Sequence, residues 1–244
     1  MIVHIFGQSA DMDPIIQIVR KYKLKIIEDA CESVGSKYKG KKTGALGDVG
    51  IFAFYPNKQM TTGEGGILTT NNESIYKLAL SLRNQGRSLE NNWLVHERLG
   101  YNYRMDEMSA SLGITQLKKL DWMIQEREKI ANLYFKHLSK INDIIPPKIA
   151  DYNSSSWFVY VIRITNGKRD KVMEYFLNRG IQTKNYLPPI HLQPFMKQWF
   201  CYKKGGYLIT EKIASETLAL PFFIGLKESD VKLISQILQD ALSQ

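Results

Sequence analysis

Short apolar runs alternate with an amphipathic segment at the start of the chain. Residues 2–6 and 24–27 are apolar runs of the kind that form buried strands. Between them, Asp13 and Pro14 have the composition of a helix start, with Asp13 as the N-cap and Pro14 in the first helical position. A strand, a helix and a second strand in so short a segment predict a βαβ unit with parallel strands. Asp29 then lies at the carboxyl end of a parallel strand, where open α/β sheets bind ligands.

The same kind of pattern predicts the elements of the remaining chain. A polar stretch rich in Gly and Lys at residues 35–48 indicates a loop or a short hairpin. The longest amphipathic pattern predicts one helix over residues 107–141, and the segment 144–147, which contains two prolines, ends it. The other predicted elements are strands at 49–55, 66–70 and 157–164, a loop at 87–97, a helix capped by Asn72 and closed by Gly86, and helices at 169–178, 207–218 and 228–242.

The composition is that of a chain with a substantial core and no membrane span. The chain has 244 residues, of which 44% are hydrophobic, and this is enough for one large or two small domains. No apolar run approaches the roughly 20 residues that a membrane helix needs, so we predict no membrane partner. Cys31 and Cys201 lack metal-ligand spacing and indicate reduced cytosolic thiols, which favours a cytoplasmic protein. The four histidines form no metal motif, and we predict no metal site.

The charge of the chain is strongly positive. The net charge is +9 and the pI is about 9.3, so nucleic-acid binding has to be considered. The basic residues are scattered in small groups, such as the one at residues 39–42, and no basic stripe with interleaved aromatic residues is present. We therefore predict no nucleic-acid partner. A surplus of positive charge also fits anionic substrates such as nucleotide diphosphates.

One lysine lies in a turn between two strand-like runs. Pro56 and Asn57 precede Lys58, and a Gly-Glu-Gly-Gly cluster at residues 63–66 follows it. Proline restricts the backbone and glycine admits conformations that other residues avoid, so such a turn can aim an amine at a fixed point. Together with Asp29, Lys58 suits pyridoxal phosphate, which takes an amine for covalent attachment and a carboxylate for its ring nitrogen. The alternative is a solvated surface lysine, which is the usual state of lysine in proteins.

Three strings in this region resemble one known family. They are Glu-Asp-Ala-Cys-Glu-Ser-Val-Gly at residues 28–35, Gly-Ala-Leu-Gly-Asp at 44–48 and Asn-Lys-Gln-Met-Thr-Thr-Gly-Glu-Gly-Gly at 57–66. They are similar to those of the DegT/DnrJ/EryC1/StrS family of pyridoxal-phosphate-dependent aminotransferases, which act on keto sugars, most of them linked to nucleotides.

The resemblance implies an α/β fold. We expect a partial large domain of the type I pyridoxal-phosphate transferases, which resemble aspartate aminotransferase, and a small α+β C-terminal domain. The expected limits are 1–125 for the large domain, 126–145 for a long linking helix and 146–244 for the small domain.

The resemblance also assigns roles to the residues around the cofactor. It implies that Lys58 bonds covalently to pyridoxal phosphate and that Asp29 pairs with the ring nitrogen. Glu32 matches a position beside the cofactor that is often glutamine in the family. Ala53 stands where many members have a serine that contacts the cofactor phosphate.

Three further residues are assigned from other parts of the family pattern. Asn102 resembles an asparagine that reaches the cofactor phosphate of the other subunit, which implies a homodimer, and Arg104 lies in the same motif. His191 matches a segment near the sugar-nucleotide site, and we predict that His191 and Arg104 bind substrate. A histidine in a Pro-rich loop is also commonly a structural or solvated residue, and this alternative stays open for His191.

The activity that follows from the resemblance is aminotransfer. An amino acid, expected to be glutamate, donates its amino group, and a keto sugar nucleotide accepts it on the way to polysaccharide, lipopolysaccharide or antibiotic sugars. One alternative is a pyridoxal-phosphate-dependent sugar dehydratase, although such family members carry histidine where this chain has Lys58. The alternative from a different class is a non-catalytic remnant or an assembly partner of such an enzyme.

The resemblance begins within the family pattern. Family members carry a leading segment before the strand that matches residues 2–6, and it supplies a grip on the cofactor phosphate and an aromatic residue that stacks on the ring. We therefore expect a chain that is N-terminally truncated relative to the family. We also expect that this chain by itself binds pyridoxal phosphate weakly or not at all.

Overall fold

The computed structural model of the protein describes residues 1–90 and 94–244. The predicted loop at 87–97 therefore falls partly outside the described residues. The chain divides into two compact units: unit 1 comprises Met1–Ile124 and Ile149–Phe158, and unit 2 comprises Gln125–Lys148 and Val159–Gln244. These limits differ from the predicted domain limits, chiefly because residues 149–158 belong to unit 1.

Unit 1 begins with the βαβ arrangement that the apolar pattern predicts. Strand β1 (Ile2–Val3), helix α1 (Met12–Tyr22) and strand β2 (Ile27–Asp29) follow in order, and β1 pairs with β2 in parallel register. Both strands are shorter than predicted, and β2 begins at Ile27 rather than at Leu24. Asp29 is the last residue of β2, which confirms its predicted place at the carboxyl end of a parallel strand.

The predicted start of α1 is wrong by two residues. The N-cap is Asp11 rather than Asp13, and Pro14 lies within the first turn. The cause is a contact with Tyr38, which is distant in sequence. The Asp13 N–H donates to the Tyr38 hydroxyl at 3.1 Å, and that hydroxyl donates to Asp11 Oδ1 at 2.8 Å. Tyr38 thus serves a helix-start donor that the Asp11 side chain leaves free.

A mixed four-stranded sheet organises unit 1. Residues 35–48 contain the short antiparallel hairpin of β3 (Lys37–Tyr38) and β4 (Lys41–Lys42), as predicted. Strands β5 (Val49–Ala53) and β6 (Gly66–Thr69) complete the sheet in the order β1-β2-β5-β6. The β2–β5 pairing is parallel, whereas β5 and β6 are antiparallel, so the prediction of a parallel sheet holds for three of the four strands.

Two helices follow the sheet. Helix α2 (Glu73–Arg83) begins at the predicted N-cap, where Asn72 Oδ1 accepts the Ile75 N–H at 3.0 Å, but it ends before Asn84 rather than at Gly86. Helix α3 (Glu107–Leu138) is the predicted long helix, and the boundary between the two units falls within it. No helix in residues 1–90 or 94–244 is long and apolar enough to cross a bilayer.

Unit 2 is an α+β arrangement around a three-stranded antiparallel sheet. The sheet has the order β10-β9-β7, with β7 at Ile144–Ile145, β9 at Tyr160–Ile164 and β10 at Thr217–Leu220. Strand β8 (Asn153–Ser154) instead pairs with β3 in unit 1. The helices of unit 2 are α4 (Arg169–Leu177), α5 (Pro194–Phe200), α6 (Leu208–Glu216) and α7 (Glu228–Ser243), and α5 is preceded by a 3-10 turn at Ile190–Leu192.

The predicted helix at 207–218 is too long. Helix α6 ends at Glu216, and Thr217 and Leu218 belong to β10, where they pair with Arg163 and Ile162 of β9. The apolar run at residues 217–220 fits either a helix end or a strand, and pairing with β9 selects the strand. Leu218 and Ile162 are both fully buried, so this pairing lies in the core of unit 2.

A buried carboxylate connects the strands of the unit 1 sheet to the loop before β5. Glu28 and His4 are both 0% exposed, and His4 Nε2 lies 2.9 Å from Glu28 Oε2. His4 Nδ1 accepts the Ala10 N–H at 3.1 Å, so the ring hydrogen lies on Nε2 and is donated to Glu28. The backbone N–H groups of Gly44, Leu46 and Gly47 donate to the same carboxylate at 2.8, 2.6 and 2.5 Å.

These donors determine the ionisation of Glu28. Burial by itself raises the pKa of the Glu28 carboxyl, but the hydrogen bonds from His4, Gly47, Gly44 and Leu46 outweigh burial and hold the pKa below its usual value. The carboxylate therefore stays charged inside unit 1, and its four hydrogen bonds make it a fully paired buried group.

We expect Glu28→Gln to destabilise the chain by about 3 to 5 kcal/mol, because in either orientation the amide NH₂ would face two of the four donors and leave them unpaired. Urea unfolding followed by circular dichroism measures the change. The matched control is Glu73→Gln on α2, where the side chain is 72% exposed. It should change the unfolding free energy by less than about 0.5 kcal/mol. Equal stability of the two variants would contradict a structural role for the Glu28 carboxylate.

Candidate active site

Asp29 presents its carboxylate at the carboxyl edge of the unit 1 sheet. It ends β2, which lies between β1 and β5, and its backbone oxygen accepts the His4 N–H at 2.9 Å. The Cys31 N–H donates to Asp29 Oδ1 at 3.1 Å. Among the residues that the structure describes, only Cys31 donates hydrogen bonds to this carboxylate, so it retains acceptor capacity for another donor.

Lys58 lies in a turn that backbone hydrogen bonds close tightly. Its N–H donates to the Tyr55 oxygen at 3.0 Å, and the Thr62 N–H and the Thr61 hydroxyl both donate to the Phe54 oxygen at 2.9 Å. The Lys58 side chain is only 14% exposed. A lysine in a Gly-rich turn is ordinarily solvated, so this enclosure supports the functional interpretation over the surface alternative.

Two groups lie beside the Lys58 amine. Nζ is 3.8 Å from Glu32 Oε1 and 4.6 Å from the centre of the Phe158 ring. Glu32 lies beyond hydrogen-bond distance, and no described residue accepts a hydrogen bond from this amine. The pair of contacts keeps the amine close to a carboxylate and an aromatic face while leaving its nitrogen available for chemistry.

Glu32 is a half-buried carboxylate in the turn after β2. Its side chain is 19% exposed, and Oε2 accepts the Phe6 N–H at 3.2 Å. Burial raises the pKa of the Glu32 carboxyl, and the nearby Asp29 charge raises it further, while the Phe6 N–H and Lys58 oppose the shift without cancelling it. Glu32 is therefore easier to protonate than an exposed glutamate.

Cys31 belongs to the same cluster, which the sequence patterns did not indicate. Burial, followed by the hydrogen bond and the charge of Asp29, raises the pKa of the Cys31 thiol to about 12, although Lys58 lowers it. The thiol is thus protonated at neutral pH and is a poor nucleophile. Lys58 Nζ lies 3.8 Å from Glu32, and Glu32 directly follows Cys31, whose N–H donates to Asp29, so the structure brings the three predicted residues into one region of unit 1.

The other predicted residues of unit 1 lie in separate places. Ala53 ends β5 opposite Gly66, so it precedes the Lys58 turn directly. Asn102 and Arg104 are exposed, and the Arg104 Nε donates to Asn102 Oδ1 at 3.1 Å. Within the described chain, no hydrogen bond or ion pair joins Asn102 or Arg104 to Lys58. Their roles, and that of Ala53, stay predictions.

His191 is buried in unit 2, where it contacts helix α6 and the residue before it. It is 7% exposed, and its Nε2 lies 3.0 Å from Glu211 Oε1. The Tyr207 ring packs against it at 4.7 Å between ring centres. The Gly205 N–H, together with His191, holds the pKa of Glu211 below its usual value. These contacts are those of a structural residue, and the substrate-binding role of His191 stays a prediction.

Phe158 and Gln59 are functional candidates that sequence reasoning missed. Phe158 is 100 positions from Lys58 in the chain, and nothing in the local pattern connects the two. Gln59 follows Lys58 directly, but a glutamine in a turn carries no chemical signal. Its adjacency to Lys58 was the one available hint.

The residues around Lys58 fit two groups of pyridoxal phosphate, the aldehyde and the ring nitrogen, to which the resemblance assigns Lys58 and Asp29. An enclosed amine that donates no hydrogen bond to a described residue is suited to bond to an aldehyde, and a carboxylate with spare acceptor capacity is suited to a protonated ring nitrogen. Lys58 supplies the first group and Asp29 the second. In the described part of the chain, no group of three or more His, Cys, Asp or Glu residues could hold a metal ion.

Comparison with known proteins gives a consistent result along nearly the whole chain. A model of the DegT/DnrJ/EryC1/StrS aminotransferase family matches residues 1–239. A GDP-perosamine synthase of Caulobacter vibrioides is 34% identical over 246 residues, covering 99% of this chain and 65% of the relative. A UDP-4-amino-4,6-dideoxy-N-acetyl-beta-L-altrosamine transaminase of Campylobacter jejuni is 36% identical over 201 residues, covering 81% of this chain and 54% of the relative.

Solved structures show the same similarity. A DegT DnrJ EryC1 StrS aminotransferase from Brucella abortus has a TM-score of 0.87 at 30% identity, covering 98% of this chain and 62% of the other. DesV of S. venezuelae has a TM-score of 0.90 at 30% identity, covering 99% and 64%. The chain spans less than two thirds of the length of each of these four proteins. The α/β fold expected from the resemblance is confirmed.

We expect the contribution of Glu32 to stability to fall as the pH rises. A carboxyl whose pKa is raised by folding stabilises the fold fully below its unfolded pKa, and this contribution is lost as the pH rises through the folded pKa. Glu32→Gln removes this titration. Relative to the parent chain, E32Q should therefore gain stability as the pH rises above the ordinary glutamate pKa of about 4.3, measured by urea unfolding at a series of pH values.

The control for this pH series is Glu174→Gln, an exposed position on α4. Its difference from the parent chain should not change with pH. A flat profile for E32Q, or one with the opposite slope, would show that Glu32 is not the buried carboxyl described above.

Proposed function

Since this chain belongs to the DegT/DnrJ/EryC1/StrS aminotransferase family, we propose that it transfers an amino group from an amino acid to a keto sugar nucleotide. The observation that carries the proposal is the enclosure of the Lys58 amine beside Glu32, in the cluster that also contains Asp29 at the end of β2. An amine and a carboxylate in this arrangement are what pyridoxal phosphate needs from a protein.

Each residue of the cluster has a distinct task in this proposal. Pyridoxal phosphate, when bound, supplies an electron sink for the carbon that loses a proton. The Lys58 amine binds the cofactor, and in its free form it removes a proton from the carbon that bears the transferred nitrogen and returns one later. The Asp29 carboxylate keeps a proton on the ring nitrogen, and the Glu32 carboxyl orients the Lys58 amine.

The substrate class follows from the relatives and from charge. The Caulobacter and Campylobacter relatives carry names that refer to GDP- and UDP-linked sugars. A net charge of +9 on this chain favours such anionic substrates. We propose glutamate as the amino donor, which would supply the nitrogen and leave as its keto acid.

The proposed assembly is a cytoplasmic homodimer. Tyr101 and Tyr103, the neighbours of Asn102 in sequence, are exposed, and their rings stack on each other with 5.0 Å between the ring centres. The Asn102 segment therefore offers an apolar surface to a second copy of the chain. In such a dimer, Asn102 would bind the cofactor phosphate of the second copy, and Arg104 would bind the substrate. Cys31 and Cys201 are both free thiols, which fits a reducing compartment.

We expect borohydride to trap pyridoxal phosphate on Lys58. Trapping is irreversible, so even weak binding accumulates a product that peptide mass spectrometry can locate. Lys58→Ala should lose this label and lower any aminotransfer rate by about 10²- to 10⁴-fold, because the proton-transferring amine is gone.

The matched control for K58A is Lys25→Ala, which removes a lysine that is 77% exposed and paired with Asp48. It should leave both the label on Lys58 and the aminotransfer rate unchanged. Label spread evenly over exposed lysines, with none preferred at Lys58, would contradict the proposed site. Label at Lys58 without aminotransfer would favour a non-catalytic relative of the enzymes.

A further inference from the structure

Gln59, the residue that follows Lys58 in the chain, is almost completely buried. It is 2% exposed, and its Nε2 makes two short hydrogen bonds, one to the Glu32 backbone oxygen and one to Ser156 Oγ, both at 2.7 Å. A carbonyl oxygen can only accept, so the amide NH₂ must face Glu32, and the orientation of the amide follows from this partner. Both N–H hydrogens of Gln59 are therefore used.

The amide oxygen of Gln59 has no such partner. Gln59 Oε1 is buried and accepts no hydrogen bond from any residue that the structure describes. An amide oxygen buried in this way reduces stability, and native proteins contain few of them. The burial of Gln59 is therefore accounted for by the two segments that its Nε2 connects, and not by complete hydrogen bonding of its amide.

A chain of hydroxyl groups extends the contact on the Ser156 side. Ser36 Oγ lies 2.5 Å from the Gly7 oxygen and 2.9 Å from Ser156 Oγ. Ser36 has one hydroxyl hydrogen and Gly7 can only accept, so that hydrogen goes to Gly7, and the hydrogen between the two hydroxyls comes from Ser156. The donors then run in one direction from Gln59 to Gly7, which satisfies every hydroxyl in the chain.

These bonds join the three segments that surround the Lys58 amine. Gln59 belongs to the Lys58 turn, and its contacts reach the Glu32 turn and the Ser156–Phe158 segment. Glu32 is thereby held twice, at its backbone by Gln59 and at its carboxylate by the Phe6 N–H. Phe158, two residues after Ser156, supplies the ring under the amine.

We propose that Gln59 is a positioning residue for the reaction at Lys58, because its amide holds the Glu32 carboxylate and the Phe158 ring at their distances from the amine. The inference rests on the proposed function. Gln59 itself is not in contact with the Lys58 amine, and it acts through the two segments that it connects. Small displacements of reacting groups carry large kinetic costs, so such a residue affects reactivity strongly.

The test replaces the amide and keeps the shape. Gln59→Met preserves the length of the side chain and removes both hydrogen bonds. Two reactions are then measured at Lys58 by peptide mass spectrometry: labelling by trinitrobenzenesulfonate, a general amine reagent, and borohydride trapping of pyridoxal phosphate. Loss of the network frees the amine from its enclosure and also misplaces it. We expect faster labelling by the general reagent, and trapping of pyridoxal phosphate slowed by about tenfold.

Thr43→Val is the control for a general loss of stability. Thr43 is a buried residue of unit 1 whose hydroxyl donates to the Ser33 oxygen at 2.8 Å. Its contact with Ser36 is to the backbone oxygen and not to the hydroxyl, so replacing Thr43 removes none of the hydrogen bonds that run from Gln59 to Gly7. With all variants compared under conditions where urea unfolding shows them to be folded, T43V should leave both reactions at Lys58 unchanged. Ser156→Ala removes one of the two Gln59 contacts and should shift both reactions in the same directions as Q59M, by a smaller factor. S156A also provides the answer if Q59M does not fold.

The outcomes separate the inference from the function on which it rests. Opposite shifts of the two reactions in Q59M, absent in T43V, support positioning by Gln59. Unchanged labelling of Lys58 in both Q59M and S156A, or equal shifts in Q59M and T43V, would overturn it. A parent chain that traps no pyridoxal phosphate at Lys58 contradicts the proposed function, and the general amine reagent still reports whether Gln59 controls the surroundings of Lys58.

Discussion

The buried carboxylate of Glu28 is the interaction on which unit 1 depends most. Successive side chains of a strand point to opposite faces of the sheet, so the adjacent residues Glu28 and Asp29 contact different parts of unit 1. Glu28 binds His4 and the three N–H groups of the loop that leads into β5. The register of β5 against β2 determines where β5 ends and the Lys58 turn begins, so the same bonds help to place Lys58 relative to Asp29.

The Lys58 amine shares its part of unit 1 with two carboxylates and a thiol. Lys58 Nζ lies 3.8 Å from Glu32 Oε1, and the Cys31 N–H donates to the Asp29 carboxylate. Burial raises the pKa of the Glu32 carboxyl and of the Cys31 thiol, which leaves the thiol protonated. A protonated thiol is a poor nucleophile, so Cys31 does not compete strongly with the amine for an aldehyde.

Errors in the predicted elements have a common cause. The start of α1 was misplaced because Tyr38 caps the helix from a distant hairpin, and the end of α6 was misplaced because β9 pairs with residues 217–220. Local composition allowed both alternatives in each case, and a tertiary contact selected one. The long helix α3 and the Asn72 cap were predicted well because their patterns are local and repeat over several turns.

The strings around Asp29, Glu32 and Lys58 were sufficient to identify the family, because the residues of each string are consecutive in the chain. The enclosure of the Lys58 amine was beyond any local pattern. Phe158 and Ser156 come from a segment about 100 residues away, and they reach the Lys58 turn only because unit 1 includes residues 149–158. Hydrogen bonds and ring contacts act over a few ångströms in space whatever their separation in sequence, so folding alone brings these partners to the amine.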